Sequence, residues 1–419
     1  MFQSALDRFL RYVRVETTSK EGISEVPSTP GQRRLGALLA EELRAMGAVE
    51  VVQDKHGYVT ATIPDPRPAE EQAAASIPVM GWIAHLDTAP DTSGKDVRPK
   101  LIDYCGGSIR LESGVEIPES EGLKRCVGDT LVVTDGSTLL GADDKAGVAA
   151  IMTAADRLLN EKIGGQPHRH GKIRIAFTPD EEVGRGTDFF DIEGFGADFA
   201  YTVDGELPGE INKETFSAEQ FLLKVKGVDI HPGTAKDVMV SAVRALAGFV
   251  SDLPADRSPE RTDGREPYIH LCSMSGDVAS AEAHIILRGF TDADMAENRR
   301  ILDEILARHQ VLNPSARWHA EYKKQYPNMA EGLKEHPRIL TCLEEAVRLS
   351  GAEPYWKPIR GGTDGSRLTE KGLPTPNIFT GGNNFHAVTE WLSVDKMEVA
   401  VRTLLNLASL FTENDGTDM

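Results

Sequence analysis

VMGWIAHLD, residues 79–87, sets the reading of the whole chain. Its first six residues form an apolar run of strand length, and the run stops at His85, with Asp87 two places on. Four other runs share that form: TLLGA meets Asp143, KIRIAFTP meets Asp180, Glu181 and Glu182, FAYTV meets Asp204, and PNIFTGGNNF meets His386. Each reads as a buried strand ending at a metal-ligand residue type. In an open α/β sheet, ligands bind beyond the carboxyl ends of the strands, so residues far apart in sequence can meet there. The pattern predicts a doubly wound, mostly parallel sheet with histidines and carboxylates gathered along one edge.

Between the fourth and fifth runs the rhythm changes. A strand over 220–226, a helix over 238–253, strands over 269–274 and 281–290, a helix over 294–309 and a strand over 316–322 follow in order. That β-α-β-β-α-β succession is the ferredoxin-like arrangement. The expected organisation is a catalytic metal-binding domain in two parts, 1–212 and 326–419, interrupted by an inserted ferredoxin-like α+β lid domain at 213–325, with hinges near 209–227. Near the start, Thr29-Pro30 opens a helix whose apolar positions are Leu35, Leu38, Leu39, Leu43 and Met46, and Gly47 ends it. Segments 66–78 and 161–171 read as surface loops.

Composition narrows the class. With 419 residues, 40% of them hydrophobic and 26% charged, the chain can bury a large core in two domains. A net charge of −19 lacks the basic stripe that displaces counterions from nucleic acid. The opening MFQSALDRFLRYVRVE has no apolar h-region and no later stretch has the length of a membrane span, so a cytoplasmic location is expected, with a small peptide substrate as partner and a homodimer left open. Four cysteines without CxxC spacing suggest reduced thiols and no thiolate zinc site.

The chemistry follows from residue types and spacing. In His85-Leu86-Asp87, period-two alternation puts both polar side chains on one face, so Asp87 can orient the imidazole while His85 binds metal. Asp143 sits where a strand meets a helix and can bridge two cations, whereas Asp144 has a plainer reading as a helix cap. Three successive acids at 180–182 repel one another unless cations neutralise them, and adjacent glutamates suit a division of labour: Glu181 as general base, Glu182 as ligand. Asp204 and His386 complete a set of two histidines and three carboxylates, enough to give each of two zinc ions three protein ligands. His168 and His170 lie in a polar loop with no nearby acid in the sequence and read as surface residues.

Substrate contacts are sought among four further residues. His231, on a turn, can polarise a scissile carbonyl or simply cap that turn. Arg288 and Arg360 can each recognise a substrate carboxylate or form a structural ion pair. Asp364, in a glycine-containing loop, is a candidate acceptor for a substrate ammonium.

The motifs GWIAHLDTAPD, TLLGADDKAG, FTPDEEVGRG, AYTVDG, DIHPGTAK, RGGTDGS and PNIFTGGNNFH, in this order and over nearly the whole chain, resemble those of the co-catalytic zinc metallopeptidases of family M20, and within them the tripeptide aminopeptidases. The resemblance implies zinc ligands at His85, Asp143, Glu182, Asp204 and His386, catalytic roles for Asp87 and Glu181, and a cis Asp143-Asp144 bond. It also implies two zinc ions per subunit, with manganese or cobalt as substitutes, and a bridging water, activated by Glu181, that attacks the peptide carbonyl. Glu206-Leu207-Pro208 after Asp204 and Trp391-Leu392 after His386 depart from the pattern. Rival readings are another amide hydrolase of the family (carboxypeptidase, dipeptidase or deacylase), a two-metal phosphoesterase and a non-catalytic metal-binding protein.

Overall fold

The computed structural model describes residues 3–74 and 76–412. The described chain forms two compact units: one takes the residues up to Lys213, Glu331–Lys357 and those from Thr363 onward, and the other takes Glu214–Ala330 with Pro358–Gly362.

The first unit is built on an eight-stranded sheet. From one edge its strands are Val49–Gln53, Val59–Ile63, Ile173–Thr178, Met80–His85, Phe199–Gly205, Asn377–Phe379, Glu210–Asn212 and Tyr355–Trp356. Met80–His85 runs parallel to both neighbours, pairing His85 with Thr178 on one side and Met80 with Phe199 on the other. All six of its residues are buried, as expected for a strand covered on both faces. After the polar start Asp143-Asp144-Lys145, helix Ala142–Asn160 is buried all round from Ala146 to Ala155, where its side chains are small or apolar on every face. It packs against Met80–His85, Phe199–Gly205 and helices Ala5–Tyr12 and Val394–Leu410. Helix Pro30–Met46 begins at Thr29 and ends at Gly47, whose φ of 99° is the left-handed conformation that favours glycine.

Three local expectations are corrected. TLLGA forms no strand: Leu139 N–H donates to a loop carbonyl, Ser93 O, and Gly141 has φ 79°, so the segment is irregular up to the helix start. The 66–78 segment contains a short helix, Ala69–Ala74, with position 75 outside the described residues. The 161–171 loop carries a two-residue hairpin, Lys162–Ile163 with Gln166–Pro167. His170 is buried at its end, Nδ1 lying 2.7 Å from Gly171 O, and His168 does have an acid nearby, Glu161 at 3.5 Å.

The second unit has the expected β-α-β-β-α-β order, with strands Ser217–Lys226, Tyr268–Gly276, Ser280–Gly289 and Arg317–Tyr326 and helices Ala242–Ser251 and Asp292–Leu312. The antiparallel sheet places Ser217–Lys226 between Ser280–Gly289 and Arg317–Tyr326. Alternate residues Phe221, Leu223 and Val225 point into a core shared with Ile285, Leu287, Leu246, Phe249 and Leu302, while Lys224 and Lys226 face out. No helix among the described residues is long and apolar enough to cross a membrane.

The close approach of helix Ala142–Asn160 to strand Phe199–Gly205 is made at Gly147. A Cβ there would lie 1.9 Å from Val203 O and 2.3 Å from Asp144 Oδ1. Neither backbone nor buried carboxylate can yield, so Gly147→Ala is expected to destabilise the protein by about 1–3 kcal/mol or more. Chemical denaturation of both proteins checks it, and an unchanged midpoint would contradict the packing described.

Candidate metal centre

Parallel strands deliver the site. His85 closes Met80–His85, the loop carrying Asp180, Glu181 and Glu182 follows Ile173–Thr178, and Asp204 stands near the end of Phe199–Gly205, so all five reach the same edge of the sheet. Asp143 comes from the first turn of helix Ala142–Asn160, where the Asp143-Asp144 peptide bond is cis. His386 arrives differently from expectation: its strand ends at Phe379, and the histidine lies seven residues on in a looped segment, with φ 64°.

These side chains converge on one carboxylate. Asp143 Oδ1 lies 2.8 Å from His85 Nε2, and Asp143 Oδ2 lies 3.2 Å from His386 Nε2. Asp204 Oδ1 is 3.6 Å from His85 Nε2, and Glu182 Oε2 is 2.9 Å from His386 Nε2. Two clusters result, His85–Asp143–Asp204 and Asp143–Glu182–His386, each with donor atoms within 4.8 Å of one another, and Asp143 belongs to both. Glu182 Oε1 is buried and finds no hydrogen-bond donor among the described residues. An acceptor-only oxygen left bare in this way, beside imidazole and carboxylate donors, suits a divalent cation.

Electrostatics point the same way. Burial pushes the Glu182 carboxyl up to about 8, with the nearby Asp143 charge adding to it, and burial raises Asp204 to about 6. Glu181 is pushed well above the carboxylate range, first by burial. For Asp143 burial acts upward too, but hydrogen bonds from His386 and His85 outweigh it and hold the carboxyl low. His386, beside Asp143 and then Glu182, is raised to about 11. Protons on these groups do in the metal-free chain what cations would do better, because so many buried carboxylates cannot all ionise unaided.

Comparisons with known proteins agree with this geometry. Residues 133–410 match the model of Peptidase family M20/M25/M40. Peptidase T of Shouchella clausii is 45% identical over 99% of this chain and 99% of its own.

The chain belongs to peptidase family M20/M25/M40.

It is therefore a hydrolase, a metallopeptidase. Its fold matches two solved structures across 98% of both chains: the Bacillus cereus aminopeptidase PepT, with a TM-score of 0.73 at 20% identity, and a Staphylococcus aureus tripeptidase, with a TM-score of 0.74 at 18% identity.

Around these clusters of the M20 chain, several residues hold the candidate side chains in place. Asp87 does more than the alternation argument gave it: Oδ1 and Oδ2 accept from Glu181 N–H and Glu182 N–H at 3.0 and 3.1 Å, while Oδ1 lies 3.4 Å from His85 Nδ1. Asp364 is buried, its carboxylate accepting from Thr178 Oγ1 at 2.6 Å and its N–H donating to Glu181 Oε1 at 3.2 Å. Asp180, left-handed at φ 56°, is fixed by Ser28 and Gln32, which donate to its carboxylate at 2.5 to 2.7 Å. Non-glycine residues hold that conformation only when their surroundings impose it. Ser28 and Gln32 had no signal in the sequence, since they lie some 150 residues from Asp180.

Three expected substrate residues lie in the second unit. His231 is exposed on its turn and accepts from Gly233 N–H at Nδ1. Arg288 donates to Leu287 O at 3.0 Å and stacks over Tyr326 at 5.7 Å. Arg360 stacks on Phe216 and Tyr268 and donates to Thr262 Oγ1 and the carbonyls of Thr262, Gly264 and Glu266. The four cysteines are free thiols.

The raised groups fix a pH dependence for the metal-free protein. Glu182, Asp364 (pushed up by burial to about 7), Asp204 and His386 all hold protons more tightly folded than unfolded. Between about pH 4 and 8 the folded chain therefore binds more protons, and stability falls as pH rises through that window. Cations displace these protons. Zinc is expected to raise the melting temperature more at pH 8 than at pH 6, and thermal unfolding with and without zinc across that range checks it.

Proposed function

We propose that the chain is an aminopeptidase releasing the N-terminal residue of tripeptides, with two divalent metal ions, zinc foremost, at His85–Asp143–Asp204 and Asp143–Glu182–His386. The observation that carries this reading is the pair of histidines on the two oxygens of one carboxylate, Asp143. Names borne by the relatives, Peptidase T, aminopeptidase and tripeptidase, support the choice of substrate. When bound, such a pair of cations supplies a water nucleophilic at neutral pH and polarises the scissile carbonyl.

The chain's own groups do the proton work. Glu181 Oε1 is held by Asp364 N–H, while Oε2 has no hydrogen bond among the described residues. Oε2 is therefore the atom that takes the proton of the attacking water and returns it to the leaving amine. A carboxyl raised by burial suits both halves of that transfer, because it holds the proton well enough to carry it. Asp87 keeps the base and its neighbour aimed through their backbone N–H groups, and its main-chain carbonyl, 3.1 Å from Nδ1, orients the His85 ring. Thr178 occupies the Asp364 carboxylate, so this residue serves Glu181 first and any substrate ammonium second. The substrate contacts expected of His231, Arg288 and Arg360 belong to the same proposal.

Membership of a peptidase family sets the phosphoesterase alternative aside. The family's other amide hydrolases are separated by substrate: purified protein is given a free tripeptide, its dipeptide and tetrapeptide counterparts and an acetylated tripeptide, before and after chelation. Chelator-sensitive release of the first residue from the free tripeptide alone is the expected result; loss of the last residue or of the acetyl group would overturn it. Glu181→Gln is expected to lower kcat on the order of 10²–10⁴-fold with metal content unchanged, which steady-state rates and metal analysis together check.

A further inference from the structure

A segment of the first unit that no neighbouring strand holds is nevertheless fixed at three backbone donors within four residues. Glu390 Oε2 accepts from Leu140 N–H and Gly141 N–H, each at 2.7 Å, and Oε1 accepts from Asp143 N–H at 3.0 Å. The carboxylate is 1% exposed, and among the described residues no cationic side chain forms an ion pair with it. Burying a carboxylate without a cation partner is costly unless its lone pairs are well satisfied. If the task were only to satisfy stray N–H groups, a neutral side chain would serve at lower cost. What a carboxylate adds is a second acceptor oxygen, so that one rigid planar group grips all three N–H groups, although burial pushes the carboxyl itself up to about 7.

We propose that Glu390 is the positioning residue of the metal centre: it fixes the backbone of Asp143, and with it the carboxylate shared by both cation sites, without itself occupying a ligand position. The inference rests on the two-metal reading above. Its placement in the chain is part of the argument. Glu390 follows His386 by four residues on one short segment, pinned by Thr92 Oγ1 to His386 O at 2.7 Å and by Glu390 N–H to Ala387 O at 3.1 Å. A single loop thus delivers a ring to Asp143 Oδ2 and a clamp to Asp143 N–H. Both ends of the bridging residue are set by the same segment, which is why an irregular stretch with Gly141 in the left-handed region can hold a ligand accurately. Trp391, where the departure from the family pattern begins, follows Glu390 and is packed into a separate apolar cluster with Leu207 and Cys126.

Glu390→Gln removes the second acceptor oxygen. Its remaining oxygen can still accept from Leu140 and Gly141, but its amide nitrogen cannot accept from Asp143. Metal-free wild type and variant are titrated with zinc against a chelator of known affinity, and hydrogen exchange is followed over residues 139–144. Partners that orient ligands typically contribute about 10- to 100-fold in metal affinity. We expect two zinc ions per chain in both proteins, with affinity lower by that factor at both sites in the variant, and faster exchange at Asp143. If the variant binds two ions with wild-type affinity while that amide exchanges faster, Glu390 holds a loop and not the metal centre, and the inference is overturned. If wild type itself takes up no zinc, the two-metal reading fails and this inference with it. Should Glu390→Gln not fold, Glu390→Asp, which keeps the carboxylate and loses one methylene of reach, is titrated in the same way: weaker zinc binding supports the role of reach, and unchanged binding overturns it.

Discussion

Everything in the first unit is arranged around a shortage of positive charge. Asp143, Glu181, Glu182, Asp204 and Asp364 crowd a buried sheet edge, where, among the described residues, only His85 and His386 contribute cationic character directly on their oxygens. Carboxylates packed this closely in a low dielectric demand cations or protons. The two rings meet opposite oxygens of Asp143, and that shared carboxylate divides one acidic cluster into two donor sets. A chain built only for stability would fill such a place with apolar residues, so the cluster is itself the signature of a function.

Precision comes less from the donors than from the backbone amides behind them. Asp87 grips the Glu181 and Glu182 amides, Asp364 offers its own amide to Glu181, and Gln32 and Ser28 lock Asp180. Glu390 does the same for the stretch leading to Asp143. These clamps are needed because the donors sit at strand ends and in loops, where ladder hydrogen bonds run out. The parallel strands supply direction, and side chains reaching across from other elements supply the last fraction of an ångström.

Arg360 shows how context decides the role of a residue type. Its guanidinium lies over the Phe216 and Tyr268 rings with its donors directed at carbonyls and Thr262, so its first role is to hold a loop of the second unit. Arg288 keeps fewer such bonds. The residue type was identical in the sequence, and only the neighbours differ.

Much of this protein was legible in its sequence because the relevant physics is local. Apolar runs of strand length ending at His85, Glu181 and Asp204 marked a parallel sheet and its functional edge, and Phe221, Leu223 and Val225 alternated as a one-sided sheet must. Thr29-Pro30 and Gly47 bounded a helix through capping and φ alone. What the sequence could not show depended on partners distant along the chain. TLLGA has a strand's composition but no strand beside it, so its amides turn to a side chain about 250 residues away. His170 sits in a polar loop yet is buried by the fold around it. The sequence determined which groups would be brought to the edge, because residue type and periodicity are encoded residue by residue; only the tertiary structure decided which amide each carboxylate grips, because hydrogen bonds form between neighbours in space.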